Sequence, residues 1–290
     1  MMLQMQITPW RLSKIKMQDF TIAGYSVAGE ESVVVVPEFD VCFDIGRCPR
    51  EALPVNNVLL THGHTDHSVG LIYYFAQRDF QGMDSGRAIV PEAIVEPLRS
   101  LLHTWGSIDG KVPPHEIAGL KPGEDFYLRK DLVARSFPTR HSRGSMGFSI
   151  VEVRRKLKEE YLGLAGQEIV ELKKKGVEID RVNEVPMVAY IGDTVAGNYS
   201  ALECVRDAKA LIIECTFFDG EHRGRASDGR HIHINRLAEV LEGMNNERII
   251  IAHVTRRTPI REAKKILSKA LPEEILSRTS FMMSREHTTD

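Results

Sequence analysis

The chain has 290 residues, of which 42% are hydrophobic and 27% are charged, with 22 glycines and 13 prolines. This is the composition of an ordinary globular protein, and it excludes a collagen-like, coiled-coil or disordered chain as a whole. The formal net charge is −2. Since neither half of the chain is basic, the sequence lacks the overall positive charge of a dedicated nucleic-acid-binding protein, although a local basic rim is compatible with it.

Cysteine spacing and the lack of long apolar runs indicate the compartment. The four cysteines, at positions 42, 48, 204 and 215, form no C-x-x-C pair, which predicts free thiols in a reducing environment. No apolar run is long enough to cross a bilayer, and residues 1–17 lack the pattern of a secretory signal. We therefore predict a cytoplasmic protein without a membrane partner, with an organellar transit peptide left open.

The first half of the chain reads mainly as strands. β-Branched and aromatic residues predict short strands over 19–43 and a mostly apolar strand over 55–61. Helical periodicity follows at 71–80 and at 91–103, where a proline suits the first helical turn. Alternating patterns predict that strands return between 116 and 150.

The second half begins with a highly charged segment, residues 154–180, in which we predict one helix over 166–175. Such a charge run is typical of a solvated insertion, and the functional alternative is an arm that contacts substrate. Strands and helices then alternate. They are a strand at 186–194, a helix at 199–207, a strand at 210–218, a helix at 233–244, a strand at 247–254 and a helix at 259–270. This order favours sheets sandwiched between helices.

The most informative segment is T-H-G-H-T-D-H, which directly follows the strand at 55–61. His62 and His64 are two positions apart, so in extended backbone they project to the same side. Asp66 and His67 follow in a turn and can reach a second position nearby. Clustered imidazoles repel one another when protonated, so packing explains them poorly. Imidazole and carboxylate ligands suit Zn²⁺ and related ions, and the segment therefore predicts a metal site.

A site with two metals needs further ligands from elsewhere in the chain. His141, Asp193 and His253 each follow a predicted strand, where the loops at one edge of a sheet can gather distant residues. We therefore predict that these three side chains join the cluster.

Together these residues resemble the metallo-β-lactamase fold, an αββα sandwich that holds one or two metals at one edge. The H-x-H-x-D-H cluster is its signature, and the three later residues match its ligands in chain order. The resemblance implies a single domain over residues 1–290 and two divalent ions per chain, with Zn²⁺ expected and Mn²⁺ or Fe²⁺ as alternatives. It also implies that Asp44, in the F-D-I-G motif, braces the site from behind the ligands.

Within that superfamily the ribonuclease Z branch is the most similar, through F-D-I-G, L-L-T-H-G-H-T-D-H-S-V-G-L and I-I-I-A-H-V-T-R-R. In that family a histidine at a helix start assists catalysis, and here His231 or His233 could fill the role. His231 is preferred, because it precedes His253 by 22 residues, a spacing associated with the family. Glu214 is similar to the acidic residue that orients this histidine.

The resemblance implies a metal-dependent phosphodiesterase that acts on RNA 3′ ends or on a smaller phosphodiester, and it implies a homodimer. His62, His64 and His141 would hold one ion. Asp66, also counted as catalytic, would hold the other with His67 and His253, and Asp193 would bridge the two. Four arginines flank the ligand loops as weaker candidates for binding substrate phosphate, namely Arg140, Arg143, Arg256 and Arg257.

The chain departs from the family pattern at two places. The early motif continues as G-R-C-P-R at 46–50, instead of a Gly-Glu-Gly-Thr-Gln-like turn. Residues 154–180 lie where the tRNA-gripping arm would start, but contain no proline, whereas that arm has a Gly-Pro-rich tip. The sequence therefore predicts phosphodiester hydrolysis and leaves the natural substrate open.

Three other functions compete with this interpretation. Thioesterases, lactonases and β-lactamases use the same metal chemistry on acyl carbons. Flavodiiron relatives carry Glu at the second cluster position, where this chain has His64. A non-catalytic scaffold would be expected to have lost ligands, and here all seven positions are filled.

Overall fold

The fold contains two mixed β-sheets that face each other. A computed structural model describes residues 12–219, 226 and 228–282. The strands of the first sheet are β1 (Ser13–Lys16), β2 (Thr21–Val27), β3 (Glu31–Val36), β4 (Val41–Ile45), β5 (Asn57–Leu59), β6 (Arg87–Pro91) and β7 (Glu116–Leu120). The strands of the second are β8 (Asp125–Arg129), β9 (Leu132–Pro138), β10 (Met146–Leu157), β11 (Asp180–Tyr190), β12 (Ala210–Glu214), β13 (Arg248–Ala252) and β14 (Thr279–Phe281).

Helices cover the outer faces of both sheets and give four layers. The α-helices with described bounds are α1 (Thr65–Ser68), α2 (Gly70–Phe80), α3 (Val95–Asp109), α4 (Gly166–Lys174), α5 (Glu203–Arg206), α6 (Ile234–Leu241), α7 (Ile260–Ala270) and α8 (Glu273–Leu276). Phe75 of α2 and Leu102 of α3 pack on the first sheet, whereas Leu237 of α6 and Leu267 of α7 pack on the second. Between the sheets lies a third core with residues from both, which completes the predicted αββα arrangement.

The two sheets repeat one topology. In each, the first four strands are antiparallel and the last four, which share the fourth strand, are parallel. The central parallel strands β12 and β13 are almost wholly buried, as their continuous apolar runs require. This internal pseudo-symmetry leaves no repeat that can be read from the sequence, because only the backbone path is shared.

Most predicted elements are present, and one prediction is wrong. Residue 91 does not start a helix but ends β6, a strand that the sequence analysis missed, and α3 runs from Val95 to Asp109. The apolar run before Pro91 pairs with β5 and β7, so tertiary pairing overrides the local helical signal. The short edge strands β1 and β14 were also not predicted.

The charged segment 154–180 is a hairpin with a helix at its end. β10 and β11 extend into it as an antiparallel pair, in which Leu157 lies opposite Asp180. The predicted helix is α4, and its residues are exposed or half-buried, as the charge pattern indicates. Residues 1–11, on which most of the targeting prediction depends, lie outside the described part. Among the described residues, no helix is both long and apolar enough to span a membrane.

Candidate metal centre

The predicted ligands lie at the ends of strands from both sheets. Asp44 lies in β4, and the segment that holds His62 and His64 follows β5. His141 follows β9, and Asp193 and His253 follow β11 and β13. The carboxyl ends of neighbouring parallel strands meet at one edge of each sheet, so residues far apart in the chain are brought together there.

Close backbone contact positions the T-H-G-H-T-D-H segment. A Cβ on Gly46 would lie 1.9 Å from the carbonyl oxygen of Asp66, so only glycine allows these two loops to approach. Gly192, just before Asp193, has φ +68° and packs against Thr61. The G-D pair in the sequence therefore marks a real close approach.

One group of possible ligands contains His62, His64, His141 and Asp193. One candidate ligand atom from each lies within 4.8 Å of the others. His141 Nε2 is 3.0 Å from His64 Nδ1, and His141 Nε2 is 3.7 Å from Asp193 Oδ2. His64 is exposed and the other three are buried, so this group opens to solvent at His64.

A second group contains Asp66, His67 and His253. Their candidate ligand atoms also lie within 4.8 Å of one another. His67 Nε2 is 3.3 Å from His253 Nε2 and 3.7 Å from Asp66 Oδ2. Because the two groups use different side chains, the cluster can offer two separate positions for metal ions.

Asp193 lies between the two groups. Its Oδ2 is 3.4 Å from Nε2 of His67 and 3.4 Å from Nε2 of His253. The same oxygen is 3.9 Å from Nε2 of His62. A single carboxylate oxygen therefore faces imidazoles from both groups, which is the placement expected of a bridge.

Several observations indicate that the donor set fits a metal. His62 Nε2 and Asp193 Oδ1 are buried and have no hydrogen-bond partner among the described residues. A buried polar atom without a hydrogen-bond partner destabilises the folded protein unless an ion or another group binds it. Ligand nitrogens around a tetrahedral zinc would be about 3.3 Å apart, which is close to the nitrogen–nitrogen distances found here. Burial, followed by neighbouring imidazoles such as His67, holds the pKa of His62 well below its usual value, which favours the neutral form that ligates metals.

Asp44 supports the cluster from behind His67. Its Oδ2 is 2.8 Å from His67 Nδ1 and accepts a 2.9 Å hydrogen bond from the Tyr190 hydroxyl. The Thr61 amide donates to Oδ1 at 2.8 Å. Asp44 is fully buried and has φ +52°, a left-handed conformation that is strained for a non-glycine residue. These contacts fix the ring of His67 with its Nε2 toward the cluster.

Other supporting residues were missed by sequence reasoning. The Thr216 hydroxyl is 3.0 Å from His253 Nδ1, and the His253 amide donates to Ser26 Oγ at 3.0 Å. His253 also has φ +56°. Arg230 donates through Nη1 to the His141 carbonyl at 2.9 Å, and its own carbonyl lies 3.2 Å from His141 Nδ1. Hydroxyls and an arginine carry no spacing signal that could have identified them.

His231 lies at the edge of the cluster and is held by Glu214. His231 Nδ1 is 3.0 Å from Glu214 Oε1 and 3.9 Å from Asp193 Oδ2. Burial lowers the pKa of His231, but the carboxylates of Glu214 and Asp193 outweigh it and raise the pKa to about 9. This histidine is therefore disposed to carry a proton at neutral pH.

His233 has a different environment. It is the N-cap of α6, where its side chain accepts a hydrogen bond from the Asn235 amide. Its Nε2 is 2.8 Å from the Asp219 carbonyl oxygen. Both ring nitrogens are thus used in local contacts at the start of the helix.

The four predicted arginines are exposed and make different contacts. Arg140 donates to the Ala196 carbonyl oxygen at 3.1 Å, and Arg256 pairs with Glu30 at 2.7 Å. Arg143 lies two residues after His141, and Arg257 lies four residues after His253. All four arginines thus lie on the loops that carry the cluster, but they do not share one common partner.

Comparisons with known proteins agree on one superfamily. The protein-family model described as the Beta-lactamase superfamily domain matches residues 41–254 of this chain. tRNase Z TRZ1 of Arabidopsis thaliana is 36% identical over 274 residues, which cover 91% of this chain and 95% of that protein. The chloroplastic tRNase Z TRZ2 of the same plant is 34% identical over 284 residues, which cover 93% of this chain and 78% of that protein. The metallo-β-lactamase fold protein YhfI of Bacillus subtilis superposes with a TM-score of 0.62 at 11% identity, over 90% of this chain and 94% of that one.

The chain therefore belongs to the β-lactamase superfamily and, within it, to the tRNase Z (ribonuclease Z) family. These matches confirm the predicted family, the αββα fold class and the enzyme class, a metal-dependent hydrolase that acts on phosphodiester bonds. They do not favour the thioesterase or lactonase alternative. The His/Asp groups at the sheet edges suit divalent metal ions.

Proposed function

We propose that this protein is an endoribonuclease that cleaves the 3′ trailer from tRNA precursors, with two divalent ions, most simply Zn²⁺, bound in the cluster. One observation carries the proposal. Asp193 lies between two groups of ligand-type side chains, and the His231–Glu214 pair stands beside them, in a chain that is 36% identical to a tRNase Z over 91% of its length.

Each position would be held by its own set of side chains. His62, His64 and His141 would hold one ion, and Asp66, His67 and His253 the other, with Asp193 between them. Bound ions of this kind lower the pKa of a water ligand toward neutrality and neutralise negative charge on phosphate oxygens. Asp44 keeps the ring of His67 oriented, as partners of metal-binding histidines commonly do.

His231 is proposed to donate a proton to the departing oxygen of the substrate. Its Nδ1 is occupied by Glu214, so Nε2 is the nitrogen that remains for substrate. Glu214 is itself fixed, because the Thr194 amide and the Thr216 hydroxyl donate to it at 2.7 and 2.6 Å. An RNA alkoxide is a poor leaving group, and protonation at this atom would lower the barrier to its departure. His233 is proposed to act only as a helix cap, because its ring contacts are local.

Basic groups around the cluster would contact the RNA backbone. Arg143 and Arg257 are exposed on the loops that carry His141 and His253, and we assign them to substrate phosphate. Arg140 and Arg256 would contribute mainly through the loops that they tie down. The hairpin at 154–180 is proposed as the substrate arm, within a single domain that spans the chain.

We also assign the protein to a homodimer in the cytoplasm. The outer face of α2 and α3 exposes large apolar side chains, with Phe80 84%, Ile108 73%, Tyr73 53% and Trp105 41% exposed. A patch of this kind commonly marks an interface. Light scattering should give the mass of two chains, and Ile108→Lys with Phe80→Lys should give the mass of one. A single-chain mass for the unaltered protein would contradict the dimer.

The function is tested by a substrate panel. Metal-reconstituted protein is offered a tRNA precursor with a 3′ trailer, a cyclic nucleotide and a thioester. We expect cleavage of the precursor at the base of its trailer and no thioester hydrolysis. Hydrolysis of the cyclic nucleotide alone would replace the RNA proposal with a small phosphodiester, and hydrolysis of the thioester alone would overturn both.

A further inference from the structure

A pocket adjoins the cluster on the side of His64 and Asp66. Its lining residues all lie between positions 29 and 69, so they come from the first sheet and its loops. It includes neither His141 nor His231, which belong to the second half of the chain. The pocket therefore extends from the cluster in a direction other than that of the proposed proton donor.

Arg47 lines this pocket and has a fixed backbone. A Cβ on Gly70, at the start of α2, would lie 2.9 Å from Arg47 Cα, so the chain at Arg47 is pressed against that helix. A Cβ on the preceding residue, Gly46, would lie even closer to backbone, 1.9 Å from the Asp66 carbonyl oxygen. The side chain of Arg47, in contrast, is 58% exposed. A long cation thus extends from a rigid base beside the cluster, in the G-R-C-P-R turn where the sequence departs from the family pattern.

Arg47 is the only lysine or arginine among the residues that line the pocket, and all of these lining residues are described. The Glu30 carboxylate, also in the lining, pairs with Arg256 at 2.7 Å. Asp66 Oδ2 accepts a hydrogen bond from the Gly29 amide at 2.9 Å. The carboxylate of Glu31 lies 4.0 Å from Arg47 Nε, and a guanidinium at the edge of the pocket can form charge-assisted hydrogen bonds with a phosphate.

We propose that Arg47 and this pocket bind the phosphate adjacent to the scissile one, on the part of the RNA that keeps the scissile phosphorus. The inference rests on the proposed function. In an in-line displacement the leaving oxygen and the incoming oxygen lie on opposite sides of phosphorus. With the leaving oxygen at His231, the retained part of the strand leaves the cluster elsewhere. The pocket next to His64 and Asp66 offers a route lined by a guanidinium, a group that can bind phosphate through two hydrogen bonds.

The test compares two chromogenic substrates that differ only by one phosphate on the retained side. They are the p-nitrophenyl ester of a nucleoside 5′-phosphate and the 5′-p-nitrophenyl ester of the corresponding nucleoside 3′,5′-bisphosphate. The additional phosphate should raise kcat/KM of the unaltered protein, and Arg47→Gln should reduce that gain about tenfold, the size of one charge-assisted contact. Arg50→Gln is the matched control, because Arg50 belongs to the same turn, is also exposed, and lines a different pocket. It should leave the gain unchanged.

A binding measurement makes the test independent of turnover. The affinity of the metal-loaded protein for a trinucleotide with non-hydrolysable phosphonate linkages is measured over a series of salt concentrations. Arg47→Gln should weaken binding and reduce the slope of affinity against salt by about one ion, whereas Arg47→Lys should keep the slope and lose part of the affinity. An unchanged gain and slope in a folded Arg47→Gln variant would overturn the subsite. Failure of the unaltered protein to hydrolyse either ester would count against the proposed function instead, and the binding series would still decide on Arg47.

Discussion

His231 and Glu214 are joined by a 3.0 Å contact between Nδ1 and Oε1 at the edge of the cluster. The carboxylate lies at the end of β12, and the imidazole lies just before α6. Because backbone and hydroxyl donors occupy the rest of Glu214, it can hold the ring in only one orientation. This is the ring orientation that the proposed transfer of a proton from Nε2 requires.

The first prediction follows from this pair and uses the leaving group as a probe. His231→Ala should slow cleavage of RNA, which has an alkoxide leaving group, by roughly a hundredfold or more. It should slow hydrolysis of bis(p-nitrophenyl) phosphate much less, because p-nitrophenolate departs without a proton. His233→Ala is the control and should cost about 1 kcal/mol of stability as a lost helix cap, with no dependence on the leaving group. An equal loss on both substrates for His231→Ala would show that its role is structural.

A second prediction concerns Asp44 and the orientation of His67. Asp44→Asn keeps the shape of the side chain but removes the charge that faces His67 Nδ1 and the Tyr190 hydroxyl. We expect metal affinity to fall about tenfold to a hundredfold, as measured by competition with a chromogenic chelator. Tyr190→Phe removes one neutral donor to the same oxygen and should have a smaller effect. An unchanged metal affinity in Asp44→Asn would mean that metal binding does not depend on the orientation of His67 by the Asp44 carboxylate.

A residue of the site can be predicted from the sequence when its neighbours in the chain, and not only its neighbours in the fold, identify its role. His62, His64, Asp66 and His67 are adjacent in sequence, so their residue types and spacing alone indicate a ligand cluster. His141, Asp193 and His253 carry a weaker signal, their place after predicted strands, which becomes useful only beside the cluster. The residues that orient them have none, because Thr61, Tyr190, Thr216 and Arg230 belong to common types and meet their partners only in the folded chain.

The fold shows the same division. Long amphipathic helices such as α2 and α7, and the apolar strands β12 and β13, are predictable from local pattern. β6 was missed because a three-residue apolar run before a proline is locally ambiguous, and its pairing with β5 and β7 decides the outcome. The left-handed backbone at Asp44 and His253 could not be predicted either, since tertiary contacts hold both residues in a conformation that their type disfavours.

A third prediction tests the close approach of Gly46 to Asp66. In Gly46→Ala the new Cβ would overlap the Asp66 carbonyl oxygen, which belongs to backbone and cannot rotate away. We expect a loss of about 1–3 kcal/mol in the free energy of unfolding, together with weaker metal binding as Asp66 is displaced. Gly63→Ala is the matched control inside the same loop system, because its Cβ would meet only the Ile94 side chain at 3.7 Å. Chemical denaturation and metal titration of both variants check this, and equal stability of the two would contradict the geometry.

The last prediction concerns the cost of the cluster without metal. Five imidazoles face the Asp193 carboxylate, and His62 Nε2 is buried with no hydrogen-bond partner in the described part of the chain. Metal removal should therefore leave buried polar atoms unsatisfied at this edge of the fold. Chelation should therefore lower the melting temperature, and added Zn²⁺ or Mn²⁺ should restore it in proportion to the logarithm of metal concentration, because the ions bind the native state. Asp193→Ala removes the shared carboxylate and should lose most of this shift, whereas Asp131→Ala, an exposed carboxylate paired with Arg129, should keep it. A melting temperature of the unaltered protein that does not respond to chelator or metal would contradict a native metal site.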